Sequence, residues 1–280
     1  MTEASYEQFL QHLEAGEAQD VLRAALIVPG ANAARVAYCS TLAEQCLELA
    51  NWVGFDSIIG GGSVGSDGES RGGSGRFDDF RGLAVVCQML AELVSGAVRL
   101  QEADLYYAGA GLVRQVIECE YLLAAFDEDF STAGQWFRAA PSDIRKSFQP
   151  KQLRKRSGFD DMEYWHHSDM GGHPSPAGAF LLELERLVPR MSDDPKPTAD
   201  QVTAHLWVDL ATHIARAWDR MVVALQKYHS RFETAGRPRR IVDAANAAHQ
   251  MWSEVDVLAH KEILGGLLTG IAQLDSEPTS

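Results

Sequence analysis

Apolar residues recur every three or four positions along most of this chain, and no segment alternates apolar and polar residues over the length of a strand. The first spacing is that of one face of an α-helix, whereas strict alternation is typical of a half-buried strand. A chain of 280 residues is also long enough to bury a sizeable core. The pattern predicts an all-α protein, a multi-helix bundle around one core.

One segment is predicted to be the most buried helix of this bundle. Between Glu102 and Phe126, a step of about 100° per residue places Leu112 and Val116 on one side and Ile117 and Tyr121 on the other. A helix that is apolar on all sides lies in the middle of its fold.

A second segment predicts one long helix in the C-terminal half. Thr198 and Gln201 have the spacing of a capping box, and an apolar stripe that includes Trp207 and Ile214 follows as far as about Phe232. Pro141, Pro150 and Pro238 are expected to mark the starts of shorter helices.

A glycine-rich stretch interrupts the helical pattern. Residues 54–82 contain ten glycines with serine and aspartate between them, and no lysine of a phosphate-binding loop follows. Ordering so many glycines costs much chain entropy, so a flexible loop is predicted. The expected organisation is N-terminal helices over residues 1–53, the loop over 54–82, the main bundle over 83–270 and a disordered tail over 271–280.

Composition excludes several classes of protein. A net charge of −14 and a pI near 5.0 argue against a surface that grips nucleic acid or anionic membrane as a whole, while leaving room for a local basic patch. The longest apolar runs stop far short of the about 20 residues of a membrane-spanning helix. The acidic N-terminus lacks the features of a signal peptide, so a cytoplasmic protein without a membrane partner is expected.

The four cysteines form no Cys-x-x-Cys pair. Their apolar neighbours predict small buried side chains, and neither a zinc site nor a disulfide framework. We assign no cofactor on this basis.

His205, Asp209 and His213 follow one another at intervals of four, which places three potential metal ligands on one face of the long helix. That face lies roughly 150° from the apolar stripe and also carries Arg216 and Arg220, two cations that would oppose a metal. A solvated surface is the preferred interpretation, and no metal is assigned.

Arg114, Glu118 and Tyr121 are neighbours on the predicted central helix. Buried charges left unpaired are costly, so Arg114 and Glu118 are expected to bond each other or an outside partner. The pair is then either a structural ion pair or part of an anion site. In both cases truncation of one member is expected to cost about 3–5 kcal/mol.

The most unusual stretch runs from Tyr164 to Pro176 and places three histidines, Ser168 and Asp169 within about a dozen residues. A histidine near its ordinary pKa is suited to general acid–base chemistry, so His173 is a candidate catalytic residue. His173 before Pro174 is equally suited to tying a turn, and the sequence leaves both interpretations open.

An Arg-x-x-x-Glu helix (Arg114, Glu118) followed by Tyr164, Ser168 and His173-Pro174 and then by a long helix resembles bacterial helical families related to the HEPN superfamily. These families include abortive-infection and toxin-like proteins, so the resemblance implies a role in defence or stress. It implies a site built from those five residues that acts on RNA or a nucleotide. HEPN ribonucleases carry an arginine followed, after four to six intervening residues, by a histidine, and this chain has no such pair.

A basic segment precedes the histidine-rich stretch. It is suited to holding a phosphate or an RNA backbone, although charge runs are more often solvated surface. The candidate ligand-binding residues in it are Lys151, Arg154, Lys155 and Arg156.

Two functions are therefore expected. The first is a HEPN-like protein that binds or acts on a phosphate-bearing ligand, RNA or a nucleotide. The alternative is a non-catalytic interaction module that pairs with itself or another chain. An apolar surface patch that includes Trp165, Tyr228 or Trp252 would favour the module, and a deep polar cleft around Arg114 and His173 would favour the ligand.

Overall fold

The computed structural model describes residues 31–59, 73–159, 164–165, 167–174, 178, 181–182, 199–229, 232 and 235–251. Within these residues every regular element is a helix, as the apolar spacing predicted. The predicted helices before residue 31 and after residue 251, and the predicted tail, lie outside them.

The elements follow one another with short connections. They are α1 (Ala31–Ile59), α2 (Gly73–Glu102), α3 (Tyr106–Glu128), α4 (Ser131–Arg138), α5 (Pro141–Ser147), α6 (Pro150–Ser157), a π-helical turn (Ser168–Gly172), α7 (Ala199–Tyr228) and α8 (residues 236–251).

Helix α3 is the centre of the bundle, as predicted. It packs against α2, α4, α6, the π turn and α7. Val116, Ile117, Tyr121 and Phe126 are fully buried although they point in different directions around the helix. The charged side chains of α3 must therefore be satisfied by neighbouring elements.

The boundaries of the predicted glycine-rich loop differ from the structure. Helix α1 continues through Gly54 to Ile59, and α2 begins at Gly73, so helix occupies both ends of the 54–82 stretch, and residues 60–72 lie outside the described part. Gly82 is a packing residue, because a Cβ there would collide with the carbonyl oxygen of Ala133 in α4. Close helix approach here outweighs the about 1 kcal/mol by which glycine disfavours a helix.

Other expectations from the sequence are confirmed. Pro141 and Pro150 stand in the first turns of α5 and α6, and α7 is a helix of 30 residues. All four cysteines are free and buried.

Helix α2 is long and apolar enough over Phe77–Glu102 to cross a membrane by composition, and half of the apolar window is buried in the bundle. Leu83, Val86 and Leu90 are fully buried there. The core helix of a bundle has this composition for the same physical reason as a membrane span, since both remove it from water.

Candidate functional site

Arg114 and Glu118 form the predicted ion pair. Nη2 of Arg114 lies 3.2 Å from Oε1 of Glu118, one turn along α3, and donates a hydrogen bond of 2.7 Å to the Tyr164 hydroxyl. The side chains of the pair are nevertheless 20% and 34% exposed. Because water screens a half-exposed pair, truncating either member should cost about 1 kcal/mol or less, and the larger cost expected from the sequence is corrected.

Tyr164 also lies between two guanidinium groups. Cζ of Arg154 is 3.8 Å from the centre of the tyrosine ring, and Cζ of Arg114 is 5.3 Å from it. Burial raises the pKa of Glu118, and the charges of Arg114 and Arg154 act in the opposite direction. These four residues brace α3, α6 and the segment before the π turn against one another.

The π turn packs directly on α3. Backbone atoms of Gly111 and Gly171 approach so closely that a Cβ on either would meet the other backbone, and a Cβ on Gly172 would meet the Arg114 side chain. The loop was expected to supply exchangeable protons near Arg114. The contact instead leaves little space there.

The five predicted catalytic residues are only partly assembled. Arg114, Glu118 and Tyr164 contact one another, as described above. Ser168 is buried and its hydroxyl makes no hydrogen bond with the described residues. His173 is exposed, and its backbone N–H bonds the Ser168 carbonyl at 3.0 Å, so the part of the chain described here shows a turn-forming role.

The four predicted ligand-binding residues of the basic segment point in different directions. Lys151 and Lys155 are exposed. Arg156 is held by Glu128 at 2.9 Å, and Arg154 is buried against Tyr164. Arg154 is drawn inward because α6 packs on α3, and this segment is not one continuous basic surface.

A buried chain of acid–base groups lies on the other side of α3, and it was not recognised from the sequence. Nδ1–H of His213 donates to Oε2 of Glu120 at 2.8 Å. Nε2 of His213 lies 3.5 Å from Oδ1 of Asp209, whose Oδ2 lies 2.8 Å from Nε2 of His167. Glu120 and His213 are each 1% exposed.

The interpretation of the His213 face of α7 as solvated surface is therefore wrong. Helix α7 packs against α1, α2 and α3, so its buried surface is wider than the apolar stripe indicates. Arg216 is exposed as expected, and the side chain of His205 lies outside the described residues. The one sequence signal for Glu120 is a carboxylate in the middle of the otherwise apolar Val116–Phe126 run.

The pKa values of this cluster are strongly shifted. Burial alone would lower the pKa of His213, but hydrogen bonds and charges of Asp209 and Glu120 outweigh burial and raise it to about 9. Burial would raise the pKa of Asp209, and the hydrogen bonds from His167 and His213 hold it well below its usual range. The cluster holds charge inside the bundle at neutral pH.

An open cleft of about 500 Å³ reaches the outer side of Glu120. Arg220 in its wall lies 3.2 Å from Asp127, and Phe159 packs on Tyr121 with ring centres 4.6 Å apart. Burial raises the pKa of Asp219, also in the wall. The lining residues are Glu120, Gly158, Phe159, Arg216, Asp219, Arg220 and Val223.

Comparison of the chain with models of protein families, with curated proteins and with solved structures found no match. Function is therefore inferred from the chemistry of these residues.

Proposed function

We propose that this protein is a cytoplasmic, HEPN-like helical protein that binds a phosphate-bearing ligand, a nucleotide or RNA, in the cleft beside Glu120. The observation that carries the proposal is the pair Arg216 and Arg220, both exposed, one turn apart on α7, in the wall of a cleft of about 500 Å³. This volume is in the range of sites for small ligands.

The two arginines are suited to phosphate. Guanidinium groups bond phosphate oxygens in bidentate geometry, and arginines at i and i+4 lie on one side of a helix. Part of the Arg220 charge is used by Asp127 at 3.2 Å, so Arg216 is the stronger candidate for the first phosphate contact.

The remaining walls suit the rest of a nucleotide. Phe159 follows Gly158, whose left-handed backbone (φ 71°) ends α6 and turns the chain. Because an aromatic ring stacks on any base, Phe159 would support binding without choosing a sequence. Glu120, hydrogen-bonded to His213 behind it, supplies a carboxylate that could exchange a proton with a bound ligand.

Binding of a fluorescently labelled adenine mononucleotide and of a short labelled RNA, at several salt concentrations, tests this function. Arg216→Gln is expected to weaken binding about tenfold or more and to reduce the dependence of binding on salt by about one phosphate contact. Arg239→Gln, at an exposed arginine of α8, is the matched control and should bind as the wild type does. Binding no tighter than that of an unrelated acidic protein would contradict the proposal.

The alternative, an interaction module, rests on exposed aromatic residues. Trp165 is 55% exposed, whereas Tyr228 stacks on Phe130 with ring centres 4.8 Å apart. Trp252 lies outside the described residues. A single exposed tryptophan is ordinary for a monomeric surface, so the arginine-lined cleft is the stronger basis for function.

A further inference from the structure

Three side chains from two separate segments converge inside the bundle. His167 comes from the residue before the π turn, and Asp209 and His213 come from successive turns of α7. One potential ligand atom from each lies within 4.8 Å of the other two. Short π-helical segments of this kind are rare and are often found at functional sites.

The separations suit a metal ion. With metal–nitrogen and metal–oxygen distances of about 2.0–2.2 Å, ligand atoms in a tetrahedral site lie about 3.3–3.5 Å apart. Nε2 of His213 is 3.5 Å from Oδ1 of Asp209. Nε2 of His167 is 2.8 Å from Oδ2 of Asp209, so an ion would have to push these two atoms slightly apart.

Glu120 holds His213 in the form that a metal requires. Its Oε2 accepts the Nδ1–H of His213 at 2.8 Å, which directs Nε2 of the ring towards Asp209. A histidine that ligates a metal through one nitrogen commonly donates the other N–H to a carboxylate, which fixes the ring and strengthens the ligand.

The charges are also complementary. Glu120 and Asp209 are two carboxylates within the bundle, and a divalent ion would balance their charge if both imidazoles are neutral. Repulsion from Arg216 and Arg220 argued against a metal at the sequence level. Arg216 is exposed to solvent, which screens its charge, and Arg220 is paired with Asp127 at 3.2 Å.

We propose that His167, Asp209 and His213 bind one divalent transition-metal ion, with Zn²⁺ as the favoured ion and Glu120 as the partner that orients His213. Two imidazoles and one carboxylate without a thiolate are a donor set that zinc accepts, and three protein ligands leave a fourth position for water. The Asp209 side chain is 22% exposed, which gives that position a route to solvent. The proposal does not depend on the ligand of the cleft.

The test uses the full chain, stripped of metal with a chelator and then titrated with Zn²⁺ in competition with a chromophoric chelator. One ion per chain is expected to bind, and the Tm should rise with free Zn²⁺ because the ion binds the folded state. Glu120→Gln should weaken binding about 10–100-fold. Asp209→Asn and His167→Gln should weaken it further, while the exposed His249→Gln should bind as the wild type does.

Co²⁺ provides a readout on the wild type that does not depend on the folding of any variant. Binding at the proposed site should give the intense visible absorption of a four-coordinate cobalt ion. An absorption like that of cobalt in water, or Zn²⁺ affinity that is equal in wild type, Asp209→Asn and His249→Gln, would overturn the proposal.

Discussion

Glu120 and His213 are 93 residues apart in the chain, yet Oε2 of Glu120 lies 2.8 Å from Nδ1 of His213, and neither side chain is more than 2% exposed. Two positions earlier on the same helix, Glu118 faces Arg114 with 34% of its side chain exposed. Helix α3 therefore carries two carboxylates of the same type in different surroundings, and each serves as the control for the other.

Glu120→Ala is expected to lower the free energy of unfolding by about 3–5 kcal/mol, because it leaves His213 inside the bundle without its partner. Glu118→Ala should lower it by about 1 kcal/mol or less, since water reaches both members of that pair. Urea unfolding of both variants followed by circular dichroism measures the difference. Equal costs would contradict the burial assigned to Glu120.

Two glycines from the predicted loop should respond in opposite ways to alanine. Gly82→Ala is expected to destabilise the protein by about 1–3 kcal/mol, because its methyl group would collide with the Ala133 backbone. Gly54→Ala should stabilise it by about 0.5–1 kcal/mol, since the added Cβ would meet only the Cβ of Ala84 at 3.9 Å. Thermal unfolding of both variants decides, and stabilisation by both would show that α2 can move away from α4.

Arg154 and Lys155 are adjacent on α6 but should contribute differently. Arg154 is 4% exposed and lies over the Tyr164 ring, so Arg154→Ala is expected to lower stability by about 2 kcal/mol. Lys155→Ala, at an exposed position, should change it by less than about 0.5 kcal/mol. If Arg154→Ala leaves stability unchanged and instead weakens RNA binding, the ligand role predicted from the sequence is correct.

Asp79 should make stability depend on pH. Burial raises the pKa of its carboxyl, although the backbone N–H of Gly134 bonds it and acts in the opposite direction. A carboxyl with a raised pKa in the folded state contributes stability below its unfolded pKa of about 3.9 and loses that contribution as the pH rises through the folded value. Asp79→Asn cannot ionise, so its stability relative to wild type should increase as the pH rises above about 4.

The measurement for Asp79 is the free energy of unfolding of wild type and variant at several pH values. Asp243→Asn, at an exposed position of α8, is the control and should show no such relative gain. A gain of similar size in both variants would assign the effect to overall charge instead of burial.

The helices were predictable because they depend on local spacing. The apolar residues around α3 predicted its central position, and prolines predicted the starts of α5 and α6. The glycine-rich ends were not predictable, because the packing of Gly82 against Ala133 involves a residue far along the chain. Composition describes the freedom of a segment but not the surface that removes it.

The site was harder to predict for the same reason. Arg114 and Glu118 are one turn apart, so their pairing follows from helix geometry alone. Asp209 and His213 are also one turn apart, but their burial depends on α3 and on His167, which a projection of α7 does not contain. One helix shows which residues share a face and does not show what covers that face.

The 93 residues between Glu120 and His213 also have a consequence for synthesis. At about 5–20 residues per second, the ribosome adds the imidazole about 5–20 s after the carboxylate. During that interval α3 carries a hydrated, charged side chain on the surface that α7 will later cover. Because an ionised carboxylate is costly to bury alone, Glu120 should keep that surface of the nascent chain open to water until its partner emerges.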